Sequence, residues 1–139
     1  MCIRDSLSAL RNDARMTHRA LGQEVGLSPN AAAARVDRLV RRGVITGFRA
    51  EVDPSALGRA LHAFIDCRLG NQTDEARAHA VIAADERIVS AAHVTGRFDY
   101  LVEAAAASPA DLDDLLRALR DAGVAETETR LVLNQLDSM

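Results

Sequence analysis

The chain has 139 residues, 48% hydrophobic and 27% charged, a balance that suits one ordinary domain or two small ones and argues against disorder. Only 3% is aromatic and there is no Trp, which argues against an aromatic stacking platform for single-stranded nucleic acid. The net charge of −3 is unevenly spread: residues 1–50 carry nine Arg against four acids, and residues 51–139 eight Arg against sixteen. A polyanion would therefore meet only the first part of the chain. No apolar run approaches the ~20 residues that span a bilayer, and the first residues lack an apolar signal segment, so the expected location is the cytoplasm with no membrane partner. Cys2 and Cys67 form neither a metal-ligand spacing nor a disulfide framework. Cys67 lies in an apolar stretch and reads as inert packing.

In chain order, residues 6–12 read as a short helix with Leu7 and Leu10 inward. Thr17 is placed to cap a second helix from His18 to Val25, with Ala20, Leu21 and Val25 available to a core. Gly26 makes a turn. Ser28 then caps a third helix over 29–42, Pro29 takes the first helical position, and Gly43 stops it. Along this helix Ala32, Val36, Leu39 and Val40 form an apolar face. Ala31, Arg35, Arg38 and Arg42 fall at i, i+4, i+7 and i+11 on another. Small residues permit close approach, and arginine bonds both phosphate and guanine edges, so this face suits a DNA major groove. The stripe alone also describes a solvated basic surface. Helix, helix, glycine turn, helix is helix-turn-helix grammar.

Val44 to Val52 is rich in strand formers and predicts a strand leading out of this head. Residues 53–60, punctuated by Pro and Gly, read as a hinge. Beyond it, Leu61–Leu69 alternates as a strand, and residues 73–84 show Ala76, Ala80, Val81 and Ala84 at helical spacing. Ile88 to Val94 reads as a strand, Gly96-Arg97-Phe98-Asp99 as a hairpin turn and Tyr100 to Ala106 as the return strand. Ser108-Pro109 opens another helix, with Asp111 placed for a capping box and Leu112, Leu115, Leu116 and Leu119 on one face. Gly123 ends it, and Thr127 to Leu133 alternates as a last strand. The order β-α-β-β-α-β is the ferredoxin-like pattern, in which two helices cover one sheet face. The bare face makes a homodimer the economical expectation.

This arrangement resembles the Lrp/AsnC family of feast/famine transcriptional regulators. The resemblance rests on Asp13-Ala14-Arg15, Val25-Gly26-Leu27-Ser28, Arg35-Val36-x-Arg38-Leu39 and Gly43-Val44-Ile45-x-Gly47-Phe48. It continues with Asp53-Pro54-x-x-Leu57-Gly58, Val94-Thr95-Gly96-x-Phe98-Asp99-Tyr100 and Thr127-x-Thr129, all in the family's order. It implies an α+β chain: a helix-turn-helix (winged-helix-like) DNA-binding domain at 1–50, a strand end and hinge at 51–60, and a ferredoxin-like βαββαβ effector and dimerisation domain at 61–139. It implies duplex DNA as a partner, contacted from Thr17, His18, Ser28, Asn30, Ala31, Arg35, Arg38 and Arg42, with Arg38 and Arg42 on phosphate. Arg35 has a second reading, an internal pair with Asp13 or Asp37.

The resemblance further implies a small effector, an amino acid, held between dimers at Gly96, Arg97 and Asp99. Asp99 could hold an α-ammonium group; Gly96 and Asp99 are equally ordinary turn residues. Assembly to a homodimer, and beyond it to a tetramer or octamer, follows from the same likeness. One departure concerns the start, where Met1–Ser6 lacks the family's acidic D-x-x-D-x-x-I-L helix. The first helix therefore reads as truncated, with an assembly artefact as one account of residues 1–6 and a DNA-binding-impaired subunit as one consequence. The run Ala31–Ala34 further predicts a lightly packed third helix. An enzyme of the same architecture, a siroheme decarboxylase, would need a histidine-lined basic pocket, for which only His62 and His93 fall on body strands. No catalytic set, metal cluster or phosphate loop is visible, so no cofactor and no metal is expected.

Overall fold

The computed structural model describes residues 3–72 and 74–136, which divide into two compact units, Met1–Glu51 and Val52–Met139. The first unit, the head, holds α1 (Ile3–Asn12), α2 (His18–Val25) and α3 (Pro29–Arg41). Its core is Ala9, Leu10, Leu21, Val25, Ala32 and Val36, with Met16, Leu27 and Ile45 packed against it. The first helix is thus longer than residues 6–12, starting at Ile3. It turns Ser6, Ala9 and Leu10 inward and leaves Leu7 only half-buried. Met1 and Cys2 lie outside the described residues.

No strand forms over Val44–Val52 among the described residues, contrary to the sequence expectation. Its β-forming composition is a local preference, whereas a strand exists only through a hydrogen-bonded neighbour, and none runs beside it. Val44, Phe48 and Val52 remain about half exposed or more. The hinge contains a single 3₁₀ turn, Pro54–Leu57, capped by Asp53, whose Oδ1 accepts from the Ser55 N–H at 2.9 Å.

The second unit, the body, runs β1 (Leu61–Leu69), α4 (Glu75–Ala84), β2 (Ile88–His93), β3 (Tyr100–Ala106), α5 (Pro109–Asp121) and β4 (Val124–Leu131). The four strands form one antiparallel sheet in the order β2-β3-β1-β4, the ferredoxin-like arrangement. Alternation sorts the sheet into two faces. Ala63, Ile65, Cys67, Tyr100, Val102 and Ala104 turn inward and meet Ile82 of α4 and Leu112, Leu115 and Leu119 of α5. The buried face of α4 is Ala78 and Ile82; the spacing Ala76, Ala80, Val81 and Ala84 leaves its alanines exposed and Val81 half-buried. A helix in which half of the 10 residues are alanine offers little contrast from which to choose a face, and Ile82, its largest aliphatic side chain, settles it. The last strand begins at Val124, before Thr127, because Val124 is buried against α5.

Candidate nucleic-acid interface and effector loop

The turn between α2 and α3 depends on a close backbone approach. Leu27 N donates to the Gly22 carbonyl at 2.7 Å, and a Cβ on Gly22 would lie 2.5 Å from the Leu27 oxygen. Only glycine fits there. Gly26 supplies the left-handed residue, φ 69°, that turns the chain out of α2. Thr17 Oγ1 accepts from Ala20 N at 3.1 Å and Ser28 Oγ from Ala31 N at 3.2 Å, so both hydroxyls act as caps that fix the first turns of α2 and α3. His18 opens α2 and is exposed.

On α3, Ala32, Val36 and Leu39 are buried. Val40 was expected with them but is 44% exposed. It lies one residue, about 100°, round the helix from Leu39, which turns it off the buried face. The outward face comprises Asn30, Ala31, Ala34, Asp37, Arg38 and Arg41. Arg42 sits just past the last turn as the C-cap, its N–H bonded to the Arg38 carbonyl at 3.0 Å. Arg35 points aside: its Nη1 donates to Ser6 Oγ at 3.3 Å. Neither Asp13 nor Asp37 pairs with it, and Asp13 instead accepts from Arg15 N at 2.9 Å. Arg35, Arg38 and Arg42 line a cleft of about 200 Å³ with Ile3 and Leu39. Sequence reading missed Arg41 and Gly22. Counting a helical period from Asn30 reaches Arg41 (30, 34, 37, 41); the steric role of Gly22 has no sequence signal.

In the body, the Gly96–Asp99 loop is stitched to its own sheet. Asp99 N donates to the Cys67 carbonyl at 2.8 Å, and Asp99 Oδ2 accepts from Leu69 N at 2.7 Å. Gly96 has φ +116°, with open space where a side chain would project. The Arg97 guanidinium lies 5.2 Å from the Phe98 ring centroid and pairs with Glu126 at 2.6 Å. Glu126 also accepts from Arg68, and these two cations, Arg68 first, hold its carboxyl below the usual range. Glu126 was not singled out from sequence, because its neighbours are set by strand register. The structure therefore brings Arg97 to Glu126 and Arg68, while Asp99 faces backbone amides.

Residues 7–46 match the family model of a winged helix-turn-helix DNA-binding domain, and residues 62–139 that of the Lrp/AsnC ligand binding domain. The chain belongs to the Lrp/AsnC family. In this Lrp/AsnC regulator the head is the DNA-binding unit and the body the ligand-binding unit. It is 34% identical over 134 residues to the HTH-type transcriptional regulator AldR of Mycobacterium tuberculosis, covering 94% of this chain and 75% of that one. It is equally 34% identical over 134 residues to the leucine-responsive regulatory protein of Haemophilus influenzae, covering 94% and 81%. Among solved structures it resembles the feast or famine regulatory protein Rv3291c of M. tuberculosis complexed with L-methionine. That likeness has a TM-score of 0.89 at 32% identity and covers 97% of this chain and 92% of that one.

Proposed function

We propose that this Lrp/AsnC chain is a transcription factor whose head reads duplex DNA through α3 and whose body answers to an amino acid. The observation that carries the DNA reading is the outward face of α3, where Asn30, Ala31, Arg38 and Arg41 are exposed. Among the described residues no carboxylate lies within ion-pair distance of those arginines. Asn30 and Ala31, small and at the helix start, approach the base edges; Arg38, Arg41 and Arg42 meet phosphates or guanine. Thr17, Ser28 and His18 flank that entry, and Arg35, through Ser6, holds α3 against α1. The amino-acid reading rests on a relative crystallised with L-methionine and on the Gly96 loop. There the open backbone at Gly96, the exposed Arg97 and the second oxygen of Asp99 supply a donor for a carboxylate and an acceptor for an ammonium group. The sheet face opposite the helices, with the half-buried Phe64 and Leu101, is the self-association surface of the body.

A gel-shift titration of the full chain on DNA upstream of its own gene, with and without L-methionine and other amino acids, tests this reading. Saturable binding that falls steeply with salt and shifts with one amino acid is expected. Absence of binding at low salt by a folded protein overturns the DNA reading. Asp99→Asn isolates the effector part, since an amide oxygen still accepts from Leu69 N while the charge is lost. DNA binding retained with the amino-acid response abolished is expected, and an unchanged response overturns the assignment of Asp99.

A further inference from the structure

The bare face of the sheet carries three carboxylates with basic partners, and one differs in kind. Asp66 is matched by Arg130 at 2.5 Å and Glu126 by Arg68 and Arg97, all permanent cations. Among the described residues, Glu103 on β3 is matched only by a histidine. The His62 imidazole Nε2 donates to Glu103 Oε1 at 2.9 Å, and the Ser90 hydroxyl on β2 donates to Glu103 Oε2 at 2.8 Å. The His62 ring packs beside Phe64, with centroids 5.4 Å apart. Both side chains of the pair retain about a quarter of their exposure, 25% and 29%, so a layer laid over this face would complete their burial.

The neighbours offer Glu103 no second cation. On β4, Arg130 stands opposite Phe64 but bonds Asp66; on β1, Arg68 bonds Glu126; β2 contributes Ser90 and Ala92, which are uncharged. Glu128 adds another negative charge on β4. With His62 neutral, burial of Glu103 strands a carboxylate; with His62 protonated, the same burial covers a neutralised ion pair.

We propose that the His62–Glu103–Ser90 cluster makes self-association through this sheet face pH-dependent. Association is tight when His62 is protonated and weak when it is neutral. This rests on the reading of the bare face as the self-association surface. A two-fold interface repeats the cluster in both protomers, so the penalty of an unneutralised Glu103 is incurred twice. Imidazole changes charge between about pH 5 and 8, inside the range a cell can visit. Association favours the protonated imidazole, so the gain belongs to the acid end of that range and is lost toward its alkaline end.

Sedimentation equilibrium of the full chain at about pH 5.5 and about pH 8 tests the switch, with His62→Gln, Glu103→Gln and, as a control outside the cluster, His93→Gln. The wild type and the His93→Gln protein are expected to associate about tenfold more tightly at the lower pH, while the first two variants show a flat response. An association constant equal at both pH values, or a pH dependence that survives both substitutions, overturns the switch and leaves the self-association reading standing. A wild-type monomer at both pH values overturns the two together.

Discussion

The head and the body use the same cation in opposite ways. Arginine is the only strongly basic residue in the chain, with nine copies in residues 1–50 and eight in residues 51–139. In the body, Arg59, Arg68, Arg87, Arg97, Arg117, Arg120 and Arg130 all reach a carboxylate, leaving only Arg77 outside an ion pair among the described residues. In the head, among the described residues, none forms such a pair. Most body arginines hold strands and turns to one another and two, Arg117 and Arg120, pair along α5 with Asp113, whereas those on α3 keep their charge available. An unneutralised row of guanidinium groups suits a polyanion, whose phosphates release counterions on binding. The difference in charge balance is thus also a difference in what charge is for.

If head and body are separate units, each can be broken alone. The largest effect belongs to the body core. Leu115 is fully buried between α5 and the sheet, so Leu115→Ala is expected to cost about 3 kcal/mol. Hydrogen exchange should show lost protection at β1 and β3 with α2 and α3 unaltered. In the head, Gly22→Ala forces a Cβ to 2.5 Å from the Leu27 oxygen and is expected to cost about 2 kcal/mol, with DNA binding lost and the sheet intact. Protection lost in both units from either change would break the comparison.

A third test probes the paired arginines. Arg87 bonds Asp85 at 2.7 Å and Asp111 at 3.0 Å and donates to the Asp111 carbonyl, tying the start of β2 to α5; its side chain is 19% exposed and that of Asp85 14%. Arg87, by its side-chain hydrogen bond above all, holds the Asp85 carboxyl below the ordinary range; Asp111 is lowered first by the Ala107 N–H and then by Arg87. Depressed carboxylates stabilise the fold above their unfolded pKa and lose that contribution as pH falls through the folded value. Arg87→Met is expected to cost about 1–2 kcal/mol near neutrality, below the figure for a fully buried pair because water still reaches it. By urea unfolding, the difference from wild type should shrink below about pH 4. No α3 arginine should show such a pH-dependent stability cost.

How much of this was open to sequence reading follows the range of the interactions. The bounds of α2, β1 and β3 are those expected, because Thr17, Gly26 and the alternation of Leu61–Leu69 act locally. The strand over Val44–Val52 fails because a ladder is a non-local fact. The ion pairs Arg68–Glu126 and Arg130–Asp66 join residues 58 and 64 apart and exist through the register of β1 with β4. Arg35 shows the same limit. Its expected partners were the carboxylates Asp13 and Asp37, and its bond goes instead to the neutral hydroxyl of Ser6, 29 residues away. At the Gly96–Asp99 loop, sequence reading anticipated the turn but not that Leu69 N claims one Asp99 oxygen.

The smallest effect compares two helix starts of near-identical sequence. Ser28-Pro29 opens α3 and Ser108-Pro109 opens α5, and each serine hydroxyl accepts from the N–H three residues on, at 3.2 and 3.1 Å. The third residue after the cap differs: Ala31 in the head, Asp111 in the body. Asp111 Oδ2 also accepts from Ala107 N at 2.8 Å, one residue earlier than the reciprocal bond of a capping box, and its charge favours the positive end of α5. The body helix therefore keeps a second hold on its start when the serine is lost, and the head helix does not. Ser28→Ala is expected to cost about 1 kcal/mol and Ser108→Ala about 0.5 kcal/mol, read as shifts of each unit's urea midpoint. Adding Asp111→Ala to Ser108→Ala should cost more than the two single losses together. A Ser108→Ala cost as large as that of Ser28→Ala would mean the Asp111 bond contributes nothing, and the body's use of charge to hold its turns would end at Arg87.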